Sequence, residues 1–452
     1  MSGPYDSALA YAARWIDIIH QDTLTDLEAR SIIEESRLNF AEHFNRGWLE
    51  YRKSVTESGD WAAVEWKGDG ATFHDVLGRE YLDCLGGYGM MDLGWAHPEV
   101  VDAVRRQVGR SPMPTQELID PLRGALANLL AQITPGNLQY SFFAASGTEA
   151  IEGAIKLAKM YTRKAGFIVA QQAFHGKTMG SLSMIGKPAF REPVGTLYGG
   201  PVYRVPFGDA AAVESQLAEC DREGIGIAAV MFEPIQGEAG AIVPSDDFWP
   251  RVRESTHKHG TLLIADEVQT GLGRTGKLWG VDHWGIAPDI LATAKSLGGG
   301  VMPVSAFCST LDIWEVMMHP NPFIHTTTTG GGALACAAAI AAIHVTLRER
   351  LWEQAAAKGA YLKPRLEELA AQYPEIYEKI TGKGLLLGMH FRDAAIGYKV
   401  AAGLFKRRVV VAGTLISSRT VRVEPPLVIT YEQLDSLLER LRDTLIEICE
   451  TL

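Results

Sequence analysis

The sequence predicts an α/β protein: a mostly parallel sheet covered on both faces by helices, with a smaller α+β unit appended. Three observations predict it. Short apolar runs alternate with helical segments through the middle of the chain. The runs are apolar at successive positions, which buries both faces of each strand. The last hundred residues change to long helices around short strands, and 452 residues suffice for a large core with a satellite domain.

Taken in order, the first sixty or so residues read as helical. "LTDLEARSIIEESRLNFAEHFNRGWLEYRKS" has apolar residues at helical spacing and alternating charge. "ATFHDVLGREYLDCLGG" reads as a hairpin about a Gly-Arg turn. From "HPEVVDAVRRQV" onward helices alternate with the runs "YSFFAAS", "FIVAQQ", "IAAVMFEPI", "TLLIADEV" and "SAFCST"; "GTEAIEGAIKLAKMYT" and "DFWPRVRESTHKHG" are two of the helices. "GGALACAAAIAAIHVTL" is shorter than a bilayer span and rich in alanine, so it reads as a buried helix. "AAKGAYLKPRLEELAAQY", "GLLLGMHF", "VRVEPPLVI" and "YEQLDSLLERLRDTLIEICETL" make the smaller unit.

Composition removes several function classes. A net charge of -11 without a basic block argues against nucleic acid and anionic membrane as partners. Five scattered cysteines with no CxxC pair argue against a disulfide framework or a metal site and fit a reducing cytoplasm. The N-terminus lacks the basic start and cleavage site of a signal peptide.

The chemistry centres on "DILATAKSLGGGV", where Lys295 stands among small and apolar residues. In sheets of this kind ligands sit beyond the carboxyl ends of the strands. "TLLIADEVQTG" ends in Asp266, Val268 and Gln269, with Asp266 and Val268 on one face. A carboxylate at the end of a buried strand is costly unless a cation meets it. "YSFFAASGTEA" is a strand, a turn of Ser146, Gly147 and Thr148, and a helix start, which is an anion site. Ser146 and Glu149 also fit a capping box, so two readings compete for that hydroxyl. "QQAFHGKTMG" adds Phe174 and His175, an aromatic wall and a polar neighbour. Gly271, Gly273 and Gly276 in "TGLGRTG" match the dinucleotide fingerprint and keep a nucleotide-dependent dehydrogenase open as a rival. The fingerprint needs a helix after the turn, and "KLWGVDHWGIAPDI" opens none.

These pieces share one solution. An amine, a carboxylate for a ring nitrogen, a helix start for a phosphate and apolar walls for a ring suit pyridoxal phosphate. Desolvation would lower the pKa of Lys295 and leave more neutral amine for imine formation.

The chain resembles the class III pyridoxal-phosphate aminotransferases over nearly its whole length. "ASGTEA", "AFHGKTMG", "FEPIQGEAG", "IADEVQTGLGRTG", "PDILATAKSLGGGVMP", "FIHTTTTGGGALACAAA" and "VRVEPPL" carry the resemblance. "GWLEYRKSVTESGDWAAVEW", "LDCLGGYG", "TQELIDPLR" and "VVVAGTL" resemble its diamine-using subgroup. The resemblance implies fold type I, with a seven-stranded sheet in a large cofactor domain over 95–344. A small domain from 58–94 and 345–452 and a helical extension over 1–57 complete it.

It implies that Lys295 is the Schiff-base lysine and Asp266 the partner of the ring nitrogen. Val268 and Phe174 clamp the ring beside His175, and Gln269 bonds the ring hydroxyl. Gly147 and Thr148, with Ser146, hold the phosphate. Thr327 reaches the neighbouring subunit's cofactor, so a homodimer, or a tetramer made of two dimers, is expected. Arg422 binds the carboxylate of a keto acid and Glu238 pairs with Arg422 when a diamine enters. The expected reaction moves an amino group from putrescine or cadaverine to 2-oxoglutarate or pyruvate. A broad ω-amino acid or amine transaminase and a mutase are the alternatives within the class. Three positions depart from the family: Trp95 stands where a histidine is common, and Thr329 and Gly332 where an aromatic and an asparagine are usual.

Overall fold

The computed structural model describes residues 4–53, 63–195 and 198–450. The end of the N-terminal helical reading, 54–57, lies outside them, as does part of "GWLEYRKSVTESGDWAAVEW". The chain forms two compact units, one of 1–67 with 73–81 and one of 68–72 with 82–452.

In the first unit, helices Asp6–Ile19 and Asp26–Asn39 bury Ile18, Ala29 and Ile32 with Val76. Thr25 and Glu28 close a capping box that starts the second helix. Three short strands, β1 (Glu65–Asp69), β2 (Thr72–Asp75) and β3 (Glu80–Asp83), follow. The turn of the expected hairpin is set by Asp75, whose Oδ1 accepts the N–H groups of Leu77 and Arg79 at 3.0 and 2.9 Å.

The second unit holds the large sheet. Its strands are β4 (Tyr140–Ala144), β5 (Gly166–Ala170), β6 (Val202–Val205), β7 (Ile227–Phe232), β8 (Leu262–Asp266), β9 (Ile290–Thr293) and β10 (Ser305–Ser309). Their order is β4-β10-β9-β8-β7-β5-β6, with β10 antiparallel to both neighbours and the remaining pairs parallel. Alternate residues supply two cores. Ile168, Val230, Leu263 and Leu291 face one layer of helices, and Val169, Met231, Ile264 and Ala292 face the other. Helix Gly147–Thr162 packs on the second face and Ala333–Arg348 contributes Ala335, Cys336, Ala339 and Ile343 to the first.

Two strands of this sheet, β6 and β9, were not among the expected runs. β6 is a half-buried edge strand interrupted by Arg204. β9 is four residues long and ends two residues before Lys295.

The C-terminal part builds a second, antiparallel sheet from β11 (Tyr377–Lys383), β12 (Leu386–Phe391), β14 (Ala412–Gly413) and β15 (Thr420–Val423), in the order β11-β12-β15-β14. β13 (Val409–Val410) pairs in parallel with Leu82 and Asp83. Helices Leu351–Gln372, Ala394–Lys406 and Tyr431–Cys449 cover this layer. Among the described residues no helix is long and apolar enough to cross a membrane.

Trp95 is anchored in the fold. Its indole N–H donates to Asp83 Oδ2 at 2.8 Å, and its ring lies where a Cβ on Gly68 would stand.

Candidate active site

The topology brings one set of strand ends together. β4, β5, β7, β8 and β9 run the same way, so the segments after them share the carboxyl edge of the sheet. There a cavity of about 460 Å³ is lined by Ser146, Gly147, Thr148, Phe174, His175, Glu238, Asp266, Val268, Gln269 and Lys295. Ten of the twelve residues expected at the site thus meet in one place. Arg422 lies behind this lining and Thr327 lines a separate groove with Gln116, Arg123 and Phe323.

Lys295 stands one residue beyond β9, after Ala294. Asp266, the last residue of β8, pairs in register with Ala292, three residues before it. The Lys295 backbone is left-handed, with φ at +49°, and opens a tight turn to Gly298. For a residue with a side chain this costs about 1–3 kcal/mol, strain that concentrates at functional sites. Burial lowers the pKa of the ammonium, opposed by the charges of Glu424, Glu238 and Asp266.

Asp266 is 4 % exposed and both its oxygens are held. Oδ1 accepts the N–H of Val268 at 3.1 Å and Oδ2 lies 2.7 Å from Nδ1 of His175. His175 therefore meets the strand-end carboxylate from the protein side, and its buried Nε2 has no partner among the described residues. Glu233 lies beside this pair. It accepts N–H groups of Phe174 and Gly237 at 3.1 and 3.0 Å, and its pKa is pushed up to about 7 by burial, with Asp266 adding and His175 opposing.

At the helix start, the competition for Ser146 resolves toward the cap. Its Oγ lies 2.6 Å from Glu149 Oε2 and accepts the Glu149 N–H. The Thr148 hydroxyl bonds those of Thr178 and Ser181 at 2.6 and 2.7 Å. With both hydroxyls committed, the first backbone N–H groups, which lack intrahelical acceptors, are the donors an anion would meet. Gly147 makes the approach close: a Cβ there would stand 2.8 Å from Val268 Cγ1.

The far end of the site is ionic. Arg422, on β15, is fully buried; its Nη2 lies 2.8 Å from Glu238 Oε1 and its Nε 3.9 Å from Glu424 Oε2. Glu238 Oε2 also accepts the Leu415 N–H at 2.7 Å. The amide of Gln269 bridges the group: Nε2 donates to Glu424 at 2.9 Å and to the Tyr88 carbonyl at 3.2 Å, and Oε1 faces Arg422 Nη1 at 3.4 Å.

"GLGRTG" has another use. Gly273 and Gly276 take positive φ in a run of turns, and a 3-10 turn at Gly280–His283 follows in place of a helix. The turns bury Arg274, which donates to the carbonyls of Leu385 and Pro425 at 3.0 and 2.6 Å and pairs with Asp92. The motif ties the large sheet to the C-terminal layer and offers no dinucleotide cradle.

The class III aminotransferase family model matches residues 56–445. This chain belongs to the class III aminotransferases. A curated relative, the putrescine aminotransferase of Pectobacterium atrosepticum, is 50% identical over 438 residues, covering 96% of this chain and 92% of the relative. Among solved structures, the ornithine aminotransferase of Toxoplasma gondii superposes with a TM-score of 0.84 at 27% identity, covering 100% of both chains. An (S)-enantioselective omega-transaminase of Thermomicrobium roseum gives 0.83 at 31%, covering 94% of this chain and 100% of that one. The fold is accordingly that of the fold-type I pyridoxal-phosphate transferases, and the enzyme transfers an amino group from an amine donor to a keto-acid acceptor with pyridoxal phosphate as cofactor. The cavity fits that group: amine, carboxylate, apolar walls and a glycine-lined helix start converge on it.

Sequence reasoning missed Glu233 and Glu424. Glu233 lay inside a quoted family motif, "FEPIQGEAG", and Glu424 two residues beyond Arg422 in "VRVEPPL". Buried carboxylates in apolar surroundings were the available signal.

Proposed function

We propose that this aminotransferase acts on primary diamines, putrescine and cadaverine, and passes the amino group to 2-oxoglutarate or pyruvate. The observation that carries this reading is the tail end of the site: a buried arginine between two carboxylates, closed off from the cavity by Glu238. The 50% identity to a putrescine aminotransferase supports it.

When bound, the cofactor supplies an aldehyde that condenses with amines and a ring that accepts the electrons released at the donor carbon. With the cofactor bound, Lys295 Nζ would hold that aldehyde and, when released, would carry the proton between the positions beside it. Asp266, fixed by Val268 N–H and His175, keeps the ring nitrogen protonated. Val268 and Phe174 flank the ring, Gly147 and Thr148 offer N–H groups to the phosphate, and Ser146 secures their helix start. Gln269 positions the ring hydroxyl and the ionic group together.

Glu238 pairs with Arg422 while a diamine is present and swings away when a keto acid brings its own carboxylate, which a guanidinium binds in a bidentate manner. Thr327 serves the neighbouring subunit's phosphate, so the active form is a homodimer, alone or paired into a tetramer, in the cytoplasm. Residues 95–344 form the cofactor domain, and 58–94 with 345–452 the smaller one, preceded by a helical extension over 1–57.

The test is a donor panel against both keto acids. Putrescine and cadaverine are expected to exceed β-alanine and 4-aminobutyrate in kcat/KM by about tenfold or more, a difference of 1.4 kcal/mol. Initial-rate lines are expected to be parallel, because the two half-reactions share one site. A preference for ω-amino acids would overturn the diamine assignment.

A further inference from the structure

Arg422 pairs with Glu238, and a second carboxylate, Glu424, stands beside it. Glu424 has no solvent exposure. Its Oε2 is 3.9 Å from Arg422 Nε, and both its oxygens take the Gln269 amide, at 2.9 and 3.2 Å. Burying a carboxylate is costly unless it is paired and hydrogen-bonded.

The chain is shaped to hold it there. Its own N–H donates to the Cys84 carbonyl at 2.8 Å. Gly86 and Gly89 in "LGGYG" take positive φ, and a Cβ on Gly89 would stand 2.7 Å from Glu424 Oε1. The same loop lays the Tyr88 ring 5.3 Å from the Arg422 guanidinium.

The guanidinium is compensated but not used up. Nη2 of Arg422 is held by Glu238, while among the described residues its buried Nε makes no hydrogen bond. With Glu238 in place, one guanidinium faces two carboxylates and the set is net negative. With Glu238 swung out, Glu424 still neutralises Arg422.

We propose that Glu424 is a positioning residue that sets donor specificity: acting through Arg422 and Gln269, it keeps the tail end of the site from carrying net positive charge and selects a donor bearing a second amine over one bearing a carboxylate. This rests on the diamine reading above. Glu424 holds Arg422 and does not touch substrate. Its charge is also the one that most favours the protonated form of Lys295, which places its field inside the cavity.

The experiment compares the holoenzyme with Glu424→Gln on three donors of matched length: putrescine, butylamine, which lacks a charged tail, and 4-aminobutyrate, which carries a carboxylate. In the variant the KM for putrescine is expected to rise about tenfold and that for 4-aminobutyrate to fall, while kcat/KM for butylamine changes by less than about threefold. A uniform loss on all three donors would mean a structural role and overturn the proposal, as would no change in the ranking. If putrescine is not a donor of the wild-type enzyme, the diamine reading fails, while the ratio of 4-aminobutyrate to butylamine still reports on Glu424. Glu424→Asp keeps a carboxylate for Gln269 but draws it back from Arg422. It is expected to move the ranking the same way by a smaller factor, and it decides the question if Glu424→Gln does not fold.

Discussion

Replacing Gly147 by alanine separates the cofactor cradle from the stability of the fold. The new Cβ would stand 2.8 Å from Val268 Cγ1, 3.2 Å from Cγ2 and 3.5 Å from Ala294 Cβ. Carbon atoms rest about 3.5–4.0 Å apart, so Val268 or the helix start must yield by about 0.7–1.2 Å. Overpacking of this size costs about 1–3 kcal/mol. Gly147 opens helix Gly147–Thr162, and alanine returns about 0.8–1.0 kcal/mol of helix propensity.

The net cost is therefore about 0–2 kcal/mol, a small change in Tm for a chain of this size. The movement, however, falls on the side chain proposed to flank the ring and on the N–H groups proposed to meet the phosphate. Cofactor affinity is expected to fall by at least about tenfold. The assay is a cofactor titration of the apo-protein beside its thermal unfolding curve. Gly109→Ala serves as the control, since its nearest neighbour is the Arg106 carbonyl at 3.8 Å. Unchanged affinity in Gly147→Ala with a lowered Tm would refute the cradle.

In single-turnover assays Glu238→Gln is expected to slow the diamine half-reaction by about tenfold or more, because Arg422 loses a close partner, and to spare the keto-acid half-reaction; equal losses would remove the switch. Thr327→Ala and Lys295→Ala subunits, each defective alone, are expected to recover about one quarter of wild-type activity when mixed into dimers, since half of the dimers then hold one intact site. No recovery would mean that Thr327 does not act across an interface. Lys295 titrates below its ordinary 10.5 because of burial. Between that lowered value and 10.5 the unfolded chain binds a proton that the folded chain does not, so stability rises with pH across the window. Lys295→Met is thus expected to stabilise the apo-protein fully below the window, with the gain shrinking toward pH 10.5. A gain that is flat with pH would contradict the shift.

How far these features could be read from the chain depends on where their partners lie. The strand ends were legible because apolar runs stop at Asp266 and before Ser146, and the helix Gly147–Thr162 begins where the Ser-Gly-Thr turn places it. β9 was hidden because its four residues read as the flank of Lys295, and β6 because Arg204 breaks its apolar pattern. The burial of Arg274 was not legible, since its acceptors Leu385 and Pro425 and its partner Asp92 are far away in sequence. Glu424 escaped for the same reason: its partners Gln269 and Cys84 come from two other segments, and two glycines at positive φ make its room. Local chemistry was readable; long-range pairing of charges was not.

The account depends most on the covalent attachment of pyridoxal phosphate to Lys295. Borohydride reduction of the holoenzyme, followed by digestion and mass spectrometry, tests it directly. The reduced pyridoxyl group is expected on the peptide containing Ala294-Lys295-Ser296. Its recovery on another lysine, or no adduct in protein that turns over amines, would contradict the assignment.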